Sequence, residues 1–252
     1  MIVPDLHPTF EKMVRRLERR SPLSAADREI LLGLPHHVRK LPAAAHIVRD
    51  GDAPDYCTLL LSGFAYRYKL TGEGGRQIIS LHCAGEFLDL QNSFLGVADH
   101  SVQMLTEGEV AMIPPATLQE LALTRPAIAR ALWIDTLIDA AIFREWVVNV
   151  GRRDSRARVA HLLCEFSLRL EAAGLASNHQ YELPMTQEQL ADAVGLTSVH
   201  VNRVLKQLGE EGLIRRDRRA IAIADWDRMR AAGDFNARYL HHDGMAASEE
   251  RA

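Results

Sequence analysis

The stretch Leu183-Pro184-Met185-Thr186-Gln187-Glu188-Gln189-Leu190-Ala191, continued through Val194-Gly195-Leu196-Thr197 to Val201-Asn202-Arg203-Val204-Leu205, decides how this chain is read. Thr186 is placed to cap a helix, and Gln189, three residues on, can reach back to close a capping box. That helix stops at Gly195, which permits a left-handed turn, and Thr197 starts a second helix through Leu208. Leu190, Val194, Val201, Val204 and Leu205 supply the apolar faces, and small Ala191 lies where the helices cross, as in a helix-turn-helix. The outward face of the second helix carries Ser198, Val199, His200, Asn202, Arg203 and Lys206. Arg203 suits two hydrogen bonds to guanine O6 and N7, Asn202 or His200 can bond base edges, and Val199 can touch a thymine methyl. Thr197, Ser198 and Lys206 suit phosphates, and Thr186 joins them in the DNA-binding set.

Beyond Gly212, the run from Leu213 to Ile223 reads as two alternating strands around a basic turn, the shape of a winged-helix hairpin. Arg215, Arg216, Arg218 and Arg219 lie there. With Arg203 and Lys206 they set six cations against Glu210, Glu211 and Asp217. The whole chain has a net charge of −3, so no global basic field announces a nucleic-acid partner and this local excess is the footprint to expect. Solvated charge runs and helix-turn-helix geometry without DNA binding both exist, but neither explains the small residues, the outward arginine and the basic hairpin together.

Working outward, 252 residues with 47% hydrophobic content suit two globular units. Two small helices occupy residues 1–34, the second capped by Ser24. From residue 35 to 115 short alternating runs are broken by turns such as Asp50-Gly51, Ser62-Gly63, Gly72-Glu73-Gly74-Gly75, Ala84-Gly85 and Glu107-Gly108. That texture indicates an antiparallel sandwich or barrel. Residues 116–150 then read as a short helix and a long one, with Pro126 in a first turn. In the long helix Ala129, Trp133, Thr136, Ala140, Phe143, Val147 and Val150 recur at three to four residues, and neighbouring faces are apolar too. Such a helix must be covered on more than one side, by a second copy in a two-fold coiled coil or as the central core helix of a monomer. The spacing favours a homodimer. A hinge is expected at residues 151–154, the winged helix-turn-helix domain over 151–232, and a frayed tail over 233–252. The fold class is α+β.

In this order of parts the chain resembles the Crp/Fnr family of bacterial transcription regulators, over nearly all of residues 10–229. The resemblance implies a cyclic-nucleotide-binding-like β-roll, a dimerisation helix and a winged helix that reads double-stranded DNA with an inverted-repeat site. It implies further that Arg203 reads guanine. Where the family often has a cytosine-reading glutamate this chain has Val199. The Gly85-Glu86-Phe87 turn is similar to the one whose glutamate holds the ribose in cyclic-nucleotide-binding relatives. The Arg-Ser pair that neutralises the phosphate there falls on Ala98-Asp99, or an indel makes His100 the anion ligand. Gly85, Glu86, Phe87, Asp99, His100 and Ser101 form the effector-pocket set, and a carboxylate at the phosphate position argues against a cyclic nucleotide.

No cofactor is expected. Three cysteines (Cys57, Cys83, Cys164), far apart, fall short of the four that hold an iron–sulfur cluster in oxygen-sensing relatives, and make neither a disulfide framework nor a CxxC clamp. Haem ligation by His82 or Cys83 stays open beside a structural role. His36, His37, His46, His82 and His100 lack tight ligand spacing, no catalytic constellation stands out, and the chain is not expected to be an enzyme. With no signal-peptide core and no apolar run long enough to span a bilayer, it is read as cytoplasmic, without a membrane partner. The expected partners are DNA, a second copy, an unknown small-molecule effector and, if the chain is an activator, RNA polymerase. The rival reading keeps the sensing β-roll but makes the C-terminal module a protein-docking unit.

Overall fold

The computed structural model describes residues 8–242, which divide into two compact units. The first unit draws its described residues from 8–69 and 81–139, the second from 70–80 and 140–242. In the first unit α1 (Pro8–Arg20) and α2 (Ala25–Leu32) precede the strands. Ser24 caps α2 in a reciprocal capping box: its hydroxyl accepts from Asp27 N at 3.1 Å, and the Asp27 carboxylate accepts from Ser24 N at 3.1 Å. The strands are β1 (His37–Leu41), β2 (His46–Val48), β3 (Cys57–Leu60), β4 (Phe64–Leu70), β5 (Arg76–Cys83), β6 (Ser101–Met104) and β7 (Gly108–Ile113), with one-turn α3 (Asn92–Leu95) between β5 and β6. They form sheets of order β1-β7-β3 and β2-β6-β4-β5. Val110 pairs with Arg39 on one side and Leu60 on the other, both antiparallel. Gly108 is required by space: a Cβ there would lie 2.1 Å from the Ser62 carbonyl oxygen.

Phe10, Met13, Val14 and Leu17 of α1 pack with Leu59, Phe87, Ala111 and Ile113 of the roll, and with Leu118 and Ile128 of the two helices that follow. Each of these side chains larger than alanine, fully buried, contributes about 1.5–3 kcal/mol. Those helices are α4 (Pro115–Thr124) and α5 (Pro126–Arg152), separated at Arg125 because Pro126 ends one helix and opens the next. Along α5, Ile128, Ala131, Leu132, Ile138, Ala141, Ile142 and Trp146 are buried, while Trp133, Leu137, Phe143, Val147 and Val148 are exposed.

The second unit holds α6 (Ser155–Ala172), β8 (Gln180–Glu182), α7 (Gln187–Val194), α8 (Ser198–Glu210), β9 (Ile214–Asp217), β10 (Ala220–Ile223) and α9 (Trp226–Ala232). Asp154 caps α6, accepting from Ala157 N at 2.8 Å. The sheet order is β8-β10-β9. β8 is held by buried Tyr181, whose hydroxyl donates to the Leu163 carbonyl at 2.9 Å. The expected frayed tail needs correcting as far as residue 242. Ala237–Leu240 is a 3₁₀ turn, and Phe235 and Leu240 are buried. The Tyr239 hydroxyl donates to Glu165 at 2.7 Å, and Trp146 Nε1 reaches the same carboxylate at 3.0 Å. Two apolar anchors and a hydroxyl that satisfies a buried carboxylate hold this segment on α6. Residues 243–252, the rest of the expected tail, lie outside the described residues.

Candidate nucleic-acid interface

α7 and α8 form the helix-turn-helix, and their ends are set by side chains. The Thr186 hydroxyl accepts from Gln189 N at 3.2 Å, and Gln189 Oε1 accepts from Thr186 N at 2.9 Å. α7 ends at Gly195 with φ 64°, its N–H returning to the Ala191 carbonyl. Thr197 Oγ1 then accepts from His200 N at 3.3 Å and starts α8. Val201, Val204, Leu205 and Leu208 are buried, whereas Ser198, Val199, Asn202, Arg203 and Lys206 are exposed and His200 is half-buried. Val199 is 80% exposed, an apolar group left in water at the centre of the outward face. Asn202 Oδ1 accepts from Gln187 Nε2 at 3.3 Å, which orients its amide. Lys206 lies 3.6 Å from Glu210, an exposed pair that contributes little and gives way readily to a phosphate. Arg203 has no ion pair among the described residues.

β9 and β10 make the wing. Arg215, Arg216, Arg218 and Arg219 are all exposed there and, among the described residues, none is in an ion pair. Arg218 turns the hairpin at φ 52°, a left-handed conformation that costs an L-residue about 1–2 kcal/mol. Thr186, Gln187, Arg216, Arg218 and Arg219 line a cleft of about 140 Å³ between the start of α7 and the wing. Free helix N–H groups and guanidinium groups together favour an anion at that position.

In the β-roll, the expected effector residues fall into two groups, one around Glu86 and one around Asp99 and His100. Glu86 is buried; it accepts from Arg16 of α1 at 2.7 Å, and its other oxygen meets His82 Nδ1 at 3.0 Å. Cys83 Sγ donates to it at 3.6 Å, so both haem-ligand candidates are engaged with Glu86. Burial, with Arg67 beside it, pulls the His82 pKa below the usual value despite Glu86. Phe87 is in the apolar core, and Gly85 has φ 96°. In the second group the exposed Asp99 carboxylate meets buried His100 Nδ1 at 2.6 Å, and Ser101 Oγ accepts from Asp50 N at 3.1 Å. Burial lowers the His100 pKa, while the His100 hydrogen bond lowers that of Asp99. A neutral imidazole and an ionised carboxylate are a poor seat for a phosphate.

Residues 157–232 match the profile of the Crp-like helix-turn-helix domain, and residues 38–125 that of the cyclic nucleotide-binding domain. The chain is 29% identical to the nitrogen fixation regulation protein FixK of Rhizobium meliloti, over 78% of this chain and 87% of that one. It is 27% identical to a probable transcriptional activator of Rhizobium leguminosarum bv. viciae, over 76% and 79%. The chain belongs to the Crp/Fnr family. Its fold is that of FixK2 from Bradyrhizobium japonicum, with a TM-score of 0.73 at 24% identity, covering 79% of this chain and 98% of that one.

As a Crp/Fnr regulator the chain has a DNA-binding module legible from its motif, but its first unit also brings together charged residues the sequence reading missed. Arg16 donates from Nε to Asp135 of α5 at 3.0 Å while its NH1 holds Glu86. Arg67 donates to the Leu88 carbonyl at 2.8 Å and pairs with Asp139. A signal was present in α1: Arg16 and Arg20 fall on the helical face of Met13 and Leu17, and an arginine on a buried face needs a carboxylate partner. Among the described residues no helix is long and apolar enough to cross a membrane.

Proposed function

We propose that this Crp/Fnr regulator acts as a homodimer on an inverted-repeat DNA site in the cytoplasm, with a regulatory rather than a catalytic role. Residues 35–115 sense, 116–150 pair the chains and 151–232 bind DNA. The observation that carries the reading is the outward face of α8: among the described residues Arg203 is in no ion pair, it lies beside exposed Asn202 and Val199, and the flanking wing arginines are likewise in no ion pair. Arg203 reads a guanine, and Val199 and His200 set the neighbouring preference in place of the glutamate that relatives use. Thr186, Thr197, Ser198, Lys206 and Arg215, Arg216, Arg218 and Arg219 hold phosphates. Pairing is supported by α5, where Trp133, Phe143 and Val147 of the expected seam are exposed in the single chain. Two such chains present their α8 helices to successive major grooves about 34 Å apart. The chain's relatives include a probable transcriptional activator, which supports RNA polymerase as a further partner.

Binding-site selection on random duplexes tests this, followed by a salt titration on the selected site. The expected result is an enriched inverted repeat whose affinity falls linearly in log salt, by a slope of about −0.9 per neutralised phosphate. Failure to enrich any repeat, or an affinity indifferent to salt, overturns it.

A further inference from the structure

We propose that the β-roll cassette of this chain is a guanidinium site, occupied by its own Arg16, so that α1 stands where a small effector would bind and ties the cassette to α5. This deepens the regulatory reading above and rests on it for the DNA measurements alone. The Arg16 guanidinium uses two edges at once: NH1 meets Glu86 at 2.7 Å and Nε meets Asp135 at 3.0 Å. Those carboxylates belong to different elements, the Gly85-Glu86-Phe87 turn and α5, so the side chain is a bridge between them. A planar fork with separated donors can satisfy both, whereas an ammonium presents one point of charge. The site is also enclosed. Side-chain exposure is 25% for Arg16, 5% for Glu86 and 12% for Asp135.

Two further features indicate that α1 is seated there by construction. Phe10, Met13, Val14 and Leu17 lie in the core, which fixes the rotation of α1 and aims Arg16 inward. A Cβ at residue 85 would come within 3.1 Å of Lys12 Cβ, so glycine lets the turn approach the helix. The charges close as well: Arg16, Arg20 and Arg67 are set against Glu86, Asp135 and Asp139. Desolvation lowers the Arg16 pKa, but Asp135 and Glu86 outweigh it and keep the guanidinium charged. An anionic ligand entering this balanced set would bring a charge that no arginine is left to neutralise, while a cation could enter only by replacing Arg16.

Chemical rescue tests the proposal. Full-length Arg16→Ala is titrated with millimolar methylguanidinium chloride, with methylammonium chloride and sodium chloride at equal ionic strength as controls. The readouts are the thermal midpoint and the affinity for a selected duplex. Arg16→Ala should lower the midpoint and weaken DNA binding about 10-fold, within the usual range of coupling between sites. Methylguanidinium should restore both saturably, the controls should not, and Arg16→Ala combined with Glu86→Gln should not respond. Arg15→Ala, on the exposed side of the helix, should match the wild type. A folded Arg16→Ala that behaves as wild type, or gains no more from methylguanidinium than from methylammonium, overturns the proposal. If Arg16→Ala does not fold, Arg16→Lys decides: equal midpoint and affinity to wild type would show that charge alone suffices and would equally overturn it. Should the wild type bind no duplex, the DNA reading fails, and the selective thermal rescue still judges the guanidinium site.

Discussion

Replacing Asp89 with asparagine should stabilise the protein at neutral pH by an amount that shrinks in acid. Asp89 is fully buried below β3, where one oxygen accepts from Thr58 N and the other from Thr58 Oγ1 at 3.2 Å. Burial pushes its pKa up to about 6 from 3.8, and the hydrogen bonds from Thr58 and the charge of Arg67 recover only part of that. A carboxyl whose folded pKa is raised keeps its proton in the folded state after the unfolded chain has lost it. The associated stability is therefore fully present below about pH 4 and is lost as pH rises through 6. A shift of about two units corresponds to about 3 kcal/mol, with about half of it already lost at pH 5. Asparagine keeps an oxygen for Thr58 N, and its NH₂ can donate to the hydroxyl, but it does not titrate. The stability difference between Asp89→Asn and wild type should thus grow by about 1.4 kcal/mol between pH 5 and 7.5. Urea unfolding of both proteins at the two pH values measures it, and the subtraction removes groups common to both. A difference that stays constant with pH, or moves the other way, would refute the assignment of a buried, reluctantly ionised carboxylate.

Arg203→Ala should cost about 1–3 kcal/mol on a selected site and relax preference at one guanine, with far less loss on scrambled DNA; equal losses on both would remove its direct-readout role. Removing Arg215, Arg216, Arg218 or Arg219 should instead weaken all duplexes alike and reduce the salt slope by about 1 for each phosphate left without its arginine, as titrations on both sequences will reveal. Phe143→Glu, on the exposed seam of α5, should turn a dimer into a monomer in sedimentation at micromolar concentration; a wild-type monomer contradicts the pairing. Tyr239→Phe deprives Glu165 of a hydroxyl at 2.7 Å and should destabilise the protein by about 1–3 kcal/mol in urea unfolding, whereas a frayed segment would give no change. Calorimetry with cyclic AMP should register no binding, because the ionised Asp99 repels a phosphate, His100 beside it is neutral, and Lys69, which donates to the Asp99 carbonyl, is already paired with Asp50; micromolar affinity would show the cassette to be read wrongly.

The local parts of this protein were written in its sequence. The Thr186–Gln189 box, the stop at Gly195, the cap at Thr197 and the basic hairpin after Gly212 each depend on residues a few positions apart, and each is found where the residues put it. The exposed apolar stripe of Trp133, Phe143 and Val147 along α5 was legible for the same reason, since a period of three to four residues is a property of one helix. What the sequence could not fix was which distant charges meet. Arg16 and Asp135 are separated by 119 positions, Arg67 and Asp139 by 72, and Tyr239 and Glu165 by 74. No local pattern selects those partners. They are chosen when packing of α1, the roll and α5, or of α6 and the segment after α9, buries a charge that must find its counterpart at short range. The tail, as far as residue 242, was misjudged on this account: its composition is polar, and it is the surfaces of α6 and α9 that supply the ring contacts, and α6 the Glu165 carboxylate, that hold it. The effector cassette turned on the same point. The family resemblance likened the Glu86 turn to one that holds a ligand in relatives, and only the tertiary structure showed that an arginine from the first helix pairs with Glu86.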